Sequence, residues 1–260
     1  MNTIKFLGTA GARFVVMEQL RASGGLWLTL DDTTVLIDPG PGSLVRCLSS
    51  RPKLNPQDLD GIILTHRHLD HANDINIMIE AMTNGGFKKK GVVFAPSDAL
   101  ENDAVILHYV RSQVDRIETL REKGKYKIGN ISFSTPIRMK HGVEAYGLNI
   151  KGKSHTISLI TDTDYFKGLA SYFKGDILII NVVLLEEKST IDHLCLKEAE
   201  QIIADNAPQL AILTHFGMSI IKAKPWLIAE QLSKKLKVPI LAARDGMEIN
   251  LDIYNKKIVL

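Results

Sequence analysis

Three imidazoles and a carboxylate fall within the six consecutive residues His66-Arg67-His68-Leu69-Asp70-His71 of this 260-residue chain, which has only 8 histidines in all. The segment follows Gly61–Thr65 (GIILT), an apolar run of the kind that is buried on both faces of a sheet. In an extended stretch, residues two apart point the same way, so His66 and His68 can share one metal ion. Asp70 and His71 lie where the chain turns into a helix and aim elsewhere, toward a second ion. Neutral imidazole with carboxylate suits zinc, and iron or manganese as well. Four side chains do not complete two sites, so further donors must come from downstream. His141, Asp162 and His215 offer themselves, each at the end of a strand-like run: Pro136–Lys140, Ile157–Thr161 and Leu210–Thr214. Loops beyond strand ends are where α/β folds build their sites.

The elements that must position these residues are legible in outline. Thr3–Leu7 alternates as a strand, and Thr9–Gly25 is Gly-punctuated and predicts a loop. Leu26–Leu30 and Thr33–Ile37 predict a hairpin turning at Asp31-Asp32. Asp38-Pro39-Gly40-Pro41-Gly42 must be a loop, since prolines remove ladder donors. Helices are expected over Leu44–Ser50, Asn73–Met82, most of Ala99–Lys123, Leu196–Asp205 and Trp226–Lys237, where apolar residues recur at helical spacing. Further strands are expected at Gly91–Ala95, Ile131–Thr135, Tyr146–Ile150, Thr156–Thr161, Asp176–Val182, Pro239–Ala242 and Met247–Leu251. The N-terminal half reads as strand-rich and the C-terminal half as βαβ-like. With no repeat and no break in composition, residues 1–260 read as one α/β domain.

Composition narrows the function classes. The net charge of +3, from 32 basic and 29 acidic side chains, gives no electrostatic footprint for nucleic acid. Lys88-Lys89-Lys90 reads as a solvated turn. Two cysteines, Cys47 and Cys195, cannot build a disulfide framework, which points to a reducing, cytoplasmic setting. No signal-peptide pattern opens the chain, and no apolar run approaches bilayer length, so no membrane partner is expected.

The H-x-H-x-D-H run at His66–His71 resembles the signature of the metallo-β-lactamase-fold hydrolases, and His141, Asp162 and His215 resemble their remaining ligand motifs in order. The opening Phe6-Leu7-Gly8-Thr9-Ala10-Gly11 and the run Leu36-Ile37-Asp38-Pro39-Gly40 are similar to members near the tRNA 3′-processing nucleases and related phosphodiesterases. The resemblance implies a four-layer αββα sandwich with two divalent metal ions, zinc first among the candidates, at one edge between the sheets. It implies that His66, His68 and His141 hold one ion, that Asp70, His71 and His215 hold the other, and that Asp162 bridges them. A metal-bridging hydroxide would then be the nucleophile, with Asp70 counted among the catalytic residues. Dimers are common among such proteins, so a homodimer is compatible with the resemblance.

His193 extends it. The segment Asp192-His193-Leu194-Cys195 resembles the one that carries an extra active-site histidine in those nucleases and phosphodiesterases, where it assists the leaving group. It departs from the nuclease pattern, because Leu194 and Cys195 replace small hydroxyl residues. The alternative for His193 is a capping or structural role. Asp38 is either an acidic support to a ligand imidazole or a turn residue before Pro39. Thr65, Thr161 and Thr214 read as strand residues, His108 and His155 as structural or exposed, and Cys195 as inert. Arg13 and Lys222 are the better candidates to touch an anionic substrate.

The expected function is therefore hydrolysis of a phosphodiester in a nucleotide or small molecule. A tRNA 3′ endonuclease is the second reading, weakened because Ala81–His141 holds no Gly- and Pro-rich arm of the kind such enzymes carry. A lactone, thioester or amide hydrolase is the third. Di-iron redox chemistry fits poorly, since the oxidoreductase branch usually has glutamate where this chain has His68. An inactive metal-binding member is disfavoured, because all seven donors are present.

Overall fold

The computed structural model describes residues 1–188 and 190–254. The strands in chain order are β1 (Thr3–Phe6), β2 (Leu26–Leu30), β3 (Thr33–Ile37), β4 (Gly61–Ile63), β5 (Val92–Ala95), β6 (Arg116–Thr119), β7 (Gly124–Ile128), β8 (Ile131–Thr135), β9 (Leu148–Lys151), β10 (Thr156–Ile160), β11 (Ile177–Asn181), β12 (Leu210–Thr214), β13 (Ile240–Ala242) and β14 (Glu248–Asn250). They form two seven-stranded sheets, ordered β14-β1-β2-β3-β4-β5-β6 and β13-β12-β11-β10-β9-β8-β7. The helices are α1 (Ala12–Met17), α2 (Ser43–Ser49), α3 (Leu69–Ala72), α4 (Ile75–Met82), α5 (His108–Arg111), α6 (Leu196–Asn206), α7 (Met218–Lys222) and α8 (Pro225–Leu236).

The two halves repeat one pairing scheme. β1–β2–β3 pair antiparallel and β3–β4–β5–β6 parallel. β8–β9–β10 likewise pair antiparallel and β10–β11–β12–β13 parallel. The expected contrast between a strand-rich first half and a βαβ-like second half is thus replaced by two similar halves.

Period-2 burial builds the layers. On β11, Ile177 and Ile179 enter the core between the sheets, while Leu178 and Ile180 face the core shared with α6 and α8. On β4, Ile63 faces inward and Ile62 packs under α4. Strands covered on both faces need apolar residues at every position, which is why GIILT and LAILT show no alternation. Helices outside, two sheets inside: this is the expected αββα arrangement.

Several expected elements differ. The Thr9–Gly25 loop contains α1. Ala99–Lys123 is not mostly helical: it holds only the four-residue α5 and then edge strand β6. The positive φ of Asn102 (39°) and Asp103 (21°) turns the chain before a helix can propagate. β6 reads RIET with no fully buried residue, so an exposed edge hides its strand signal. β7 was not expected, and Pro136–Lys140 forms only an isolated bridge, Arg138 to Tyr146. The hairpin stands, with Asp31 and Asp32 at φ 50° and 58°, as a two-residue type I′ turn requires.

Candidate metal centre

The chain leaves β3, β4, β10, β11 and β12 at one end of the sandwich, and the side chains singled out in the sequence meet there. The first sheet supplies Asp38 after β3 and His66, His68, Asp70 and His71 after β4. The second supplies Asp162 after β10, Asn181 ending β11 and His215 after β12. His141 comes from the loop between β8 and β9, and His193 from the segment leading into α6. Asp38 and His215 sit at positive φ (53° and 59°), a strained conformation for residues with a side chain and one that clusters at functional sites.

Three overlapping clusters of potential donors result: His66, His68 and His141; Asp70, His71, Asp162 and His215; and Asp38 with His66 and His71, in which Asp38 already accepts from His71 Nδ1, leaving the first two as the donor groups. In the first, His141 Nε2 stands 3.0 Å from His68 Nδ1, and the His66 ring centroid lies 5.0 Å from that of His68 and 5.1 Å from that of His141. In the second, His71 Nε2 stands 3.0 Å from His215 Nε2 and 3.3 Å from Asp162 Oδ2, while Asp70 Oδ2 is 3.3 Å from His215 Nε2. Asp162 Oδ2 also lies 3.8 Å from His66 Nε2, so this carboxylate faces both groups. His66, His71 and Asp162 are almost wholly buried.

Supporting contacts fix which nitrogen faces inward. His71 Nδ1–H donates to Asp38 Oδ2 at 3.0 Å, and His141 Nδ1–H donates to the Asp192 carbonyl at 3.1 Å. Each therefore turns an Nε2 lone pair toward its partner imidazole. Asp38 also accepts from the Thr65 amide and hydroxyl, both at 2.7 Å. Thr65 Oγ1 in turn lies 3.1 Å from His66 Nδ1 and 3.0 Å from Thr161 Oγ1. Thr65 is thus more than a strand residue. Asn181 Nδ2 donates to Asp162 Oδ1 at 2.8 Å and sets the carboxylate's rotation. Nothing in the sequence reading singled out Asn181; its signal was being the lone polar residue in the apolar run Ile177–Leu184.

Burial pushes the His66 and His68 imidazoles below the usual histidine range, and facing imidazoles push the same way. Burial works to raise the Asp70 and Asp162 carboxyls, but the His71 and His215 imidazoles hold both below the ordinary carboxylate range. His71 goes the other way: burial alone would lower it, yet Asp70, Asp162 and Asp38 raise it well above the usual range. A field that favours a proton on a buried imidazole favours any cation held there.

A divalent ion fits this donor set. The buried His66 Nε2 and His215 Nδ1 have no hydrogen-bond partner, and unpaired buried polar atoms are costly unless something else satisfies them. Lone pairs and carboxylates converge, and among the described residues no Lys or Arg forms an ion pair with Asp38, Asp70 or Asp162, which is the donor chemistry of a metal centre.

Glycines explain the two flanking motifs. A Cβ on Gly11 would strike the His215 carbonyl, and one on Gly40 the Asp70 carbonyl. His193 lies at the centre, its Nδ1 3.6 Å from Asp162 Oδ2 and its ring 5.3 Å from that of His141. Burial lowers its proton affinity, with Asp162 opposing. Cys195 is buried, and burial pushes its thiol up, away from nucleophilic use. Arg13, Lys222, Lys88 and Lys89 are exposed, as is His108, whereas His155 is buried.

The class defined by this fold and donor set agrees with the comparisons. A sequence profile for the beta-lactamase superfamily domain matches residues 33–216. The chain belongs to that superfamily, a metallo-β-lactamase-fold hydrolase family whose fold implies divalent metal binding. More particularly, it is 28% identical to an uncharacterised protein of Methanocaldococcus jannaschii over 95% of this chain and 94% of that one. It is 23% identical to a ribonuclease Z of Methanopyrus kandleri over 95% of this chain and 97% of the relative. The metallo-beta-lactamase fold protein YhfI of Bacillus subtilis superposes with a TM-score of 0.78 at 20% identity, covering 95% of this chain and 98% of YhfI. Among the described residues, no helix is long and apolar enough to cross a membrane.

Proposed function

We propose that this chain is a dinuclear metal-dependent phosphodiesterase acting on a nucleotide or another small phosphodiester. The observation that carries this reading is His193, an imidazole outside the seven donors yet 3.6 Å from Asp162 at the centre of the site. A departing alkoxide needs a proton, and a positioned histidine supplies one. An activated acyl bond has less use for it.

In this reading His66, His68 and His141 would hold one divalent cation, Asp70, His71 and His215 would hold a second, and Asp162, which faces both groups, would serve both. The donor set suits zinc, and also iron or manganese. Such a pair, when bound, lowers the pKa of water from about 16 to about 7 and offsets negative charge on the phosphoryl oxygens. The chain's own residues do the rest. Asp38 and the Asp192 carbonyl fix the tautomers of His71 and His141. Asn181 turns Asp162 so that its Oδ2 faces His66, His71 and His193. Asp70 orients the His215 side of the site. His193 delivers a proton to the leaving oxygen. The pairing of β14 with β1 supports taking residues 1–260 as one domain.

The ribonuclease Z relative supports a second reading, with RNA as substrate. One panel separates the readings: bis(p-nitrophenyl) phosphate, 2′,3′- and 3′,5′-cyclic nucleotides, precursor tRNA and an acyl homoserine lactone. Turnover of small diesters is expected; turnover of precursor tRNA alone favours RNA, and of the lactone alone overturns both. His193→Ala should lower turnover of diesters with poor leaving groups by about 10²- to 10⁴-fold and that of nitrophenyl esters far less. Equal loss on both would sink the proton-donor role.

A further inference from the structure

Beside the site lies a cluster of polar groups that none of the chemistry above uses. Glu144, three residues beyond His141, accepts four hydrogen bonds on its carboxylate. They come from Ser97 Oγ at 2.5 Å, the Ser97 amide at 3.0 Å, the Asp98 amide at 3.4 Å and Tyr146 Oη at 2.7 Å. Burial works to raise the Glu144 carboxyl, but the bonds from Ser97 and Tyr146 hold it below its ordinary range. Asp98 reciprocates, its Oδ2 accepting from the Glu144 amide at 3.0 Å. Arg67, set between His66 and His68, donates from Nη1 to the Asp98 carbonyl at 3.0 Å. Finally, the Tyr146 amide donates to the Thr65 carbonyl at 3.1 Å, directly before His66.

These contacts join three loops. The His66–His68 segment and the Pro96–Ala99 turn leave neighbouring strands of the first sheet, β4 and β5. The 141–146 loop belongs to the second sheet. The first donor group is split the same way, with His66 and His68 on one sheet and His141 on the other. His141 sits on a partly exposed loop beside Gly142, where nothing lies within 4 Å of an added Cβ. It needs a tether, and Glu144 is the strong one.

We infer that Glu144, with Ser97 and Asp98, is a clasp that sets the spacing of His68 and His141 and thereby tunes the affinity of that one donor group for its cation. The inference rests on the metal-centre reading but not on any substrate. Glu144 is a positioning residue: it touches neither donor nor substrate. The Asp70, His71, Asp162 and His215 group has supports of its own, Asp38 on His71 and Asn181 on Asp162, so the pull of Glu144 falls first on the spacing of His68 and His141.

The experiment is a zinc titration of the chelator-stripped protein against a chromophoric competitor, with imidazole ¹H–¹⁵N spectra of the metal-free form. Wild type should take up two ions. Glu144→Ala should weaken one of them by about 10- to 100-fold and leave the other unchanged, the size typical of lost support to a ligand. Glu144→Gln, which keeps an acceptor for Ser97, should restore part of the loss. Loss of both ions in a folded Glu144→Ala protein, or of neither, overturns the clasp. If Glu144→Ala does not fold, Tyr146→Phe and Ser97→Ala carry the same expectation in milder form. In the metal-free spectra the shifts should be confined to His68 and His141. Unchanged His68 and His141 signals refute the clasp even if wild type binds fewer than two ions, a result that would overturn the dinuclear reading instead.

Discussion

Asp38 satisfies three donors at once: the Thr65 amide, the Thr65 hydroxyl and His71 Nδ1. Its left-handed backbone is one that Asn also tolerates. Asp38→Asn therefore keeps the turn but removes the charge and one acceptor. Zinc affinity should fall by about 10- to 100-fold in a competition titration. An unchanged affinity would show that His71 keeps its tautomer unaided. At this scale the sequence was an uneven guide. The seven side chains that the structure brings together were legible, four because they crowd one short segment and His141, Asp162 and His215 because they end strand-like runs and resemble family motifs. The supports were not. Thr65 looked like an ordinary strand residue and Asn181 drew no notice. Their partners are 27 and 19 residues away and are reached only once strand register is set.

Among the elements, α4 follows the ligand segment and anchors it. Ile75, Met78, Ile79 and Met82 recur at helical spacing and are all buried against the first sheet, while Ile77 is 43% exposed. Met78→Ala should cost about 2–5 kcal/mol in denaturant unfolding. Ile77→Ala should stay within about 0.5 kcal/mol. Similar costs for both would mean that this face does not carry the packing. The same contrast explains which elements the sequence revealed. α4 and the buried strands β4, β11 and β12 have apolar patterns that only one structure satisfies. β6 is an edge strand, where exposure erases the pattern. In Ala99–Lys123 helical spacing of apolar residues won the sequence reading, but backbone turns at Asn102 and Asp103 and pairing with β5 decided the structure.

For the whole molecule, both donor groups draw side chains from both sheets, so cations bound there would join the halves. Stripping the metal should lower the thermal midpoint. Saturation at a hundred times Kd contributes about 2.7 kcal/mol per site. For a chain of this size that is a fall of roughly 5–10 °C for each ion removed by chelator, restored by zinc. A midpoint indifferent to chelator would show that the halves hold their relation without metal. Because the donors must be deprotonated to bind, the metal-dependent part of the stability should shrink as pH falls through the imidazole range and be fullest above it.

The interleaving of the two sheets also puts the centre on a clock. His66 to His71 leave the ribosome early, but neither group closes until His141, Asp162 and finally His215 have followed. β14, the last of the described strands, then returns to pair with β1, the first of them. Gly11, among the earliest residues, packs against the His215 carbonyl, among the latest to arrive. A nascent chain can therefore present a few histidines to the cell's metal pool, but not a finished centre. Full metal loading would then report that both halves have been made and have met.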